Sequence, residues 1–293
     1  METFFENMPG LPVTVVRGSR PGPRVLITAG VHGGEYAAIA AGFQLVQRLH
    51  DNVCSGQVTL VCPANLNAFW QRTEYVDPLD GKNLGSVFPG NPQGSSAERT
   101  AYRITELMKQ SDCYLDLHSG DIHEKLTPFS LFPSESAVSQ RSLEMARMAG
   151  LPYIIPMKSD GLPICCAAGL HKPGVMVEMG GCGRWDEAES RQYVESVVRI
   201  LRGLGVVQGA AAEPAGEVLP RYVSEKAPLQ ACWQPYVEPG TAVTRGQKIG
   251  RLFDFQNRTL KEYFAEDDAV VLYVVTSLSV RQGGSLYALG IKA

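Results

Sequence analysis

Four short apolar runs, Arg24–Ala29, Gln57–Cys62, Cys113–Leu117 and Gly174–Glu178, alternate with stretches of helical period over the first part of the chain. Such alternation argues for an α/β domain reaching to about residue 205. Helical spacing is clearest over Glu35–Leu49, Ser96–Lys109, Val138–Met148 and Asp186–Leu204. Several of the strands run straight into ionisable residues. In open α/β sheets ligands sit at the carboxyl ends of the strands, so these junctions are where chemistry is expected.

The segment Gly209–Pro220 is rich in small residues and proline and reads as a linker. Residues 1–208 are therefore expected to form the catalytic domain and 215–293 a small all-β sandwich or barrel. The second part contains Pro239-Gly240, Val243, Gly246 and Ile249-Gly250, with a weaker echo at Val280, Gly283 and Leu286. This pseudo-symmetric pattern is similar to the barrel-sandwich hybrid of lipoyl and biotinyl carriers. A carrier needs a lysine at the hairpin tip between its halves, and Ala265–Ala269 offers none.

Composition removes other classes. With 293 residues, 44 % hydrophobic and 19 % charged, the chain can bury a sizeable core. A net charge of -3 presents no basic surface to nucleic acid or anionic lipid. No apolar stretch reaches the roughly 18 to 20 residues of a membrane span. The acidic start METFFENMPG lacks the basic region of a secretory signal. Seven cysteines with no repeated Cys-x-x-Cys spacing read as reduced thiols in a cytoplasmic protein.

Three junctions carry the chemistry. In Gly30-Val31-His32-Gly33-Gly34-Glu35 a strand ends, a glycine turn follows and a helix begins, so His32 and Glu35 point to the same side. In Leu115-Asp116-Leu117-His118 a strand delivers Asp116 and His118 on one face. Two histidines and a glutamate make an open catalytic zinc site, with Asp116 placed to orient a ligand. In Val177-Glu178-Met179-Gly180-Gly181 an ionisable residue ends an apolar run, and its burial needs a partner such as a nearby metal. A carboxylate there can take a proton from a metal-activated water and return it to a leaving amine.

Together with Asn65, Arg72, Asp80–Leu84 and Phe88-Pro89-Gly90, these residues resemble the succinylglutamate desuccinylase/aspartoacylase family, a branch of the zinc carboxypeptidase clan. The resemblance spans about residues 24 to 200. It implies a mixed central sheet with flanking helices, one zinc per chain, and hydrolysis of an N-acyl amide through a metal-bound water. It implies His32, Glu35 and His118 as ligands, Glu178 as general acid/base and Arg72 as the group that stabilises the oxyanion. Lys82, Asn83, Gly85 and Ser86 then fall in the substrate-binding stretch. Family members commonly carry Asn-Arg where this chain has Gly85-Ser86, and that pair grips the substrate's carboxylate. Either the substrate lacks the carboxylate, or another cation holds it; Lys82, His171, Lys172 and Arg184 are the candidates.

The expected substrate is a small acylated amine or amino-acid derivative. A metallo-exopeptidase acting on peptides and a non-catalytic zinc-binding relative stay open, as does assembly into a homo-oligomer. His123 reads as a loop residue, and His50 as a residue closing a helix. Cys165, Cys166 and Cys182 lack an assignable histidine–carboxylate set, which sets a cysteine hydrolase aside.

Overall fold

A computed structural model describes residues 2–8 and 11–292. Its first sheet is built from β1 (Glu2–Met8), β2 (Leu11–Arg17), β3 (Arg20–Ala29), β4 (Ser55–Val61) and β5 (Cys113–His118). After the short β6 (Glu124–Leu126) come β7 (Phe129–Pro133), β8 (Tyr153–Met157), β9 (Gly174–Glu178) and β10 (Glu217–Val218). All but β6 join one nine-stranded sheet in the order β1-β2-β4-β3-β5-β9-β7-β8-β10. The sheet is mixed. Its centre, β4-β3-β5-β9, is parallel, while β2 runs against β4 and β7 against β9.

The apolar runs are continuous because both faces of the sheet are covered. Side chains alternate along a strand, so Val25, Ile27, Leu115, Leu117, Val175 and Val177 enter one core. Leu26, Tyr114 and Met176 enter the other. Helices α1 (Tyr36–His50), α4 (Ser139–Met148) and α6 (Glu187–Gly203) contribute to the first core. Helices α3 (Ser96–Lys109) and α5 (Pro163–Gly169) contribute to the second, and α2 (Leu66–Gln71) is a short turn after β4. The α3 start is closed by a capping box between Ser95 and Glu98, and the α6 start by Asp186 accepting from Glu189 N at 2.8 Å.

The C-terminal strands are β11 (Arg221–Lys226), β12 (Ala231–Pro235), β13 (Ala242–Val243), β14 (Lys248–Phe253), β15 (Thr259–Phe264), β16 (Ala269–Val275), β17 (Ser279–Val280) and β18 (Ser285–Ile291). They form two sheets, β11-β18-β16-β13 and β15-β14-β12-β17, around a core that includes Trp233, Ile249, Leu252, Tyr263 and Leu286.

The sheets do not divide at the linker. β10, beyond residue 208, adds to β8 of the large sheet, pairing Glu217 with Tyr153. In return β6, from the α/β part, adds to β16 and pairs Leu126 with Tyr273. Each unit thus donates a strand to the other, and the ladder hydrogen bonds tie them together.

Trp233 is 2 % exposed, packs with Tyr263 and Tyr287 in a cluster of three rings, and donates its Nε1–H to Val275 O at 3.1 Å. Trp233→Ala is expected to cost about 3–5 kcal/mol. Urea unfolding followed by circular dichroism checks this; an unchanged midpoint would show that the β-core is not built on this ring.

Candidate metal centre

The parallel centre of the sheet sets the geometry. Thr28 of β3 pairs with Asp116 of β5, and His118 of β5 pairs with Glu178 of β9. The residues singled out in the sequence therefore arrive at one edge of the sheet. His32 comes from the turn after β3. Gly33 has to be glycine there, because a Cβ would sit 2.1 Å from the Ala68 carbonyl carbon.

His32, Glu35 and His118 offer ligand atoms that all lie within 4.8 Å of one another. His32 Nδ1 is 2.7 Å from Glu35 Oε1, and His118 Nδ1 is 3.1 Å from Glu35 Oε2. Ser119 N donates to Glu35 Oε2 at 3.2 Å. Both imidazoles turn Nδ1 toward the shared carboxylate and Nε2 away from it. Burial works to raise the Glu35 pKa, but the positive potential of His118 and His32 outweighs it and holds the group at about 2. A deprotonated carboxylate with two imidazoles is the donor set of an open zinc site, and the residues fit the ion.

The far nitrogens have polar neighbours. His32 Nε2 lies 3.0 Å from Asn83 Oδ1, which also accepts from Gly85 N at 2.7 Å. His118 Nε2 comes within 3.1 Å of Asp116 Oδ2, close but out of hydrogen-bond alignment. The other Asp116 oxygen accepts from Thr28 Oγ1 at 2.6 Å, and Thr28 Oγ1 is 2.5 Å from Tyr114 Oη. Contacts of this kind fix ring orientation in metal sites.

Glu178 ends β9 beside His118. Burial pushes its pKa well above the carboxylate range; His118 opposes the shift, while Glu35, Glu124 and Asp116 add to it.

The sequence holds no signal for Tyr193. It sits at 0 % exposure on the apolar face of α6, and its hydroxyl lies 2.7 Å from His118 O and 2.6 Å from Val177 O. One proton is shared between the carbonyls at the ends of β5 and β9, next to His118 and Glu178. Asp121 and Glu124 did have a signal: they follow His118 directly in a Gly-Asp-Ile-His-Glu run.

Among the described residues Arg72 makes no hydrogen bond or ion pair with the triad. It closes α2 in a left-handed turn, φ 56° and ψ 43°, and its side chain is exposed. It lines an apolar cavity of about 500 Å³ with Phe43, Phe69, Trp70 and Trp185. Lys82 pairs with Glu98 at 3.0 Å, and Ser86 Oγ turns back to Asn83 O at 3.0 Å. His123 pairs with Glu74 at 3.2 Å, and His50 with Asp51 at 2.8 Å.

A smaller cavity, about 260 Å³, meets the triad through Tyr75 and is walled by Glu74, Tyr75, Asp121 and Glu124 on one side and residues of the β-domain on the other. The Tyr75 ring packs edge-on to His32, with centroids 5.5 Å apart.

Comparison with known proteins bears on this site. A model of the succinylglutamate desuccinylase/aspartoacylase catalytic domain matches residues 21–204. The chain is 32 % identical to N-alpha-acetyl-L-2,4-diaminobutyric acid deacetylase of Halomonas elongata over 294 residues, covering 94 % of this chain and 84 % of that one. Among solved structures, the product-bound ectoine utilization protein EutE (DoeB) of Ruegeria pomeroyi superposes with a TM-score of 0.86 at 21 % identity, over 99 % of this chain and 93 % of that one. A succinylglutamate desuccinylase/aspartoacylase from Rhodobacter sphaeroides gives 0.84 at 24 % identity, over 97 % and 90 %. The two superpositions speak to the fold.

Tyr193→Phe removes a donor from Val177 O and from His118 O, which keeps Met179 N at 3.4 Å, and is expected to cost about 1–3 kcal/mol. A lowered urea midpoint at unchanged slope checks it, and an unaltered midpoint would show that the carbonyls find other donors.

Proposed function

The chain belongs to the succinylglutamate desuccinylase/aspartoacylase family and is a hydrolytic deacylase, and from that premise we propose that it is a zinc enzyme cleaving the amide of a small N-acylated amino-acid derivative. The observation that carries the reading is the convergence of His32, Glu35 and His118 within 4.8 Å, with Glu178 paired across the sheet to His118.

His32 Nδ1, Glu35 and His118 Nδ1 would hold the ion. When bound, zinc supplies Lewis acidity that polarises the amide carbonyl and makes water acidic enough to lose a proton near neutrality. Glu178 is assigned the proton transfers. Its carboxylate accepts a proton from the attacking water, and its carboxyl returns it to the amine nitrogen as the C–N bond breaks. The raised proton affinity of Glu178 favours holding that proton between the two steps. Asn83 keeps the His32 ring turned toward Glu35, and Asp116 stands 3.1 Å behind the His118 ring. The diamino-acid substrate named for the Halomonas relative makes an N-acetylated diamino acid the first compound to try.

Chelation is expected to abolish hydrolysis of an N-acyl amino acid, with zinc restoring it. Glu178→Gln is expected to lower kcat by about 10²–10⁴-fold with zinc still bound. Full turnover in that variant, or activity that survives complete removal of metal, would overturn the mechanism.

A further inference from the structure

Gly85-Ser86 leaves the substrate's carboxylate without the arginine that the resemblance implies at that place, and the fold answers where a replacement stands. The sequence candidates fall away one by one. Lys82 is engaged with Glu98 at 3.0 Å, outside the cavity. Arg184 is directed to Asp186 at 4.0 Å. His171 and Lys172 precede Gly174, at the opposite end of β9 from Glu178. Strand rise alone, about 3.3 Å per residue, separates the two ends of β9 by roughly 13 Å.

Two cationic or basic side chains line the cavity beside the triad, His123 and Arg281. His123 is taken by Glu74 at 3.2 Å. Arg281 comes from the β-domain, follows β17, and has no ion pair or side-chain hydrogen bond among the described residues. Its backbone is anchored nonetheless. Gly284 N donates to Arg281 O at 3.0 Å, closing the turn, and Gly283 N donates to Ala227 O at 2.8 Å. The same wall is tied to the α/β part where Thr276 N donates to His123 O at 2.8 Å. The guanidinium is exposed on an anchored turn and can offer a carboxylate two parallel N–H donors without breaking another pairing. The facing wall carries Glu74, Asp121 and Glu124, so an anionic group entering this cavity is favoured at the Arg281 end and repelled from the other.

We propose that Arg281 is the residue that recognises the carboxylate of an N-acylated amino-acid substrate, standing in from the β-domain for the arginine that the α/β domain lacks. This rests on the deacylase reading and adds a specificity: substrates with a free carboxylate are preferred over decarboxylated counterparts. It also gives the β-domain a task, since the binding site is complete only when that domain is docked through β6 and β16.

The test compares Nα-acetyl-2,4-diaminobutyrate with N-acetyl-1,3-diaminopropane, which differs by the carboxylate, in the zinc-loaded wild-type, Arg281→Gln and Arg281→Lys proteins. In Arg281→Gln, KM for the carboxylate substrate is expected to rise about 10- to 150-fold with kcat little changed. KM for the decarboxylated compound should stay where it was, and Arg281→Lys should recover part of the loss. Equal effects on both compounds, no effect on either, or wild-type preference for the decarboxylated compound would overturn the proposal. Should neither compound be cleaved, the deacylase reading fails on these substrates. Calorimetric binding of the same two compounds then decides Arg281: selective loss of the carboxylate ligand in Arg281→Gln upholds its role, and equal binding or none overturns it.

Discussion

Glu35 has 3 % of its surface exposed, and a charged carboxylate so placed is stable only if close partners replace the water it has lost. It has His32 on one oxygen, and His118 and the Ser119 amide on the other. These partners reach Glu35 from separate parts of the chain. His32 leaves a glycine turn after β3, Glu35 stands where α1 begins, and His118 closes β5. The arrangement depends on β3 and β5 being parallel neighbours in one register, so that both strands end at the same level. Truncating either imidazole would leave the carboxylate under-compensated in a buried place, which is why stability and metal binding are expected to move together here.

The layer behind the triad resists rotation of its parts. Asn83 holds one ring by its outer nitrogen, and Asp116 stands behind the other, itself fixed through Thr28 and Tyr114. Tyr193 then ties the carbonyls at the ends of β5 and β9, which keeps His118 and Glu178 in step. A proton transfer between water, Glu178 and an amine needs hydrogen-bond distances to be met without large rearrangement. The exchange of β6 and β10 between the two units extends the same rigidity to the cavity wall supplied by the β-domain.

Much of this was legible in the residue pattern, for reasons that can be given residue by residue. Gly174–Glu178 reads as a strand because both its faces are buried, and the strand has those bounds. Ser96–Lys109 reads as a helix from its period, and that range is α3. The His32–Glu35 spacing implies a shared side across a glycine turn, and the structure has it. The misses have equally local causes. Strands β7 and β8 were not picked out, and β10 lies inside a segment that reads as linker. Arg72, expected to steady the oxyanion, ends α2 in a left-handed turn and lines an apolar cavity. Tyr193 looks like any apolar-face residue of an amphipathic helix.

What the sequence determined by itself were quantities set within a few residues: the alternation that makes an α/β sheet, the glycines that admit close approach, and the donor types of the triad. What only the tertiary structure decided were meetings between residues far apart in the chain. Tyr193 lies 75 residues from the His118 carbonyl it binds, and Arg281 reaches the cavity beside Asp121 from another sheet. Local pattern specifies dihedral preference and which face is apolar. Which strand lies beside which, and in what register, comes from packing both cores at once, and no short stretch of sequence contains that information.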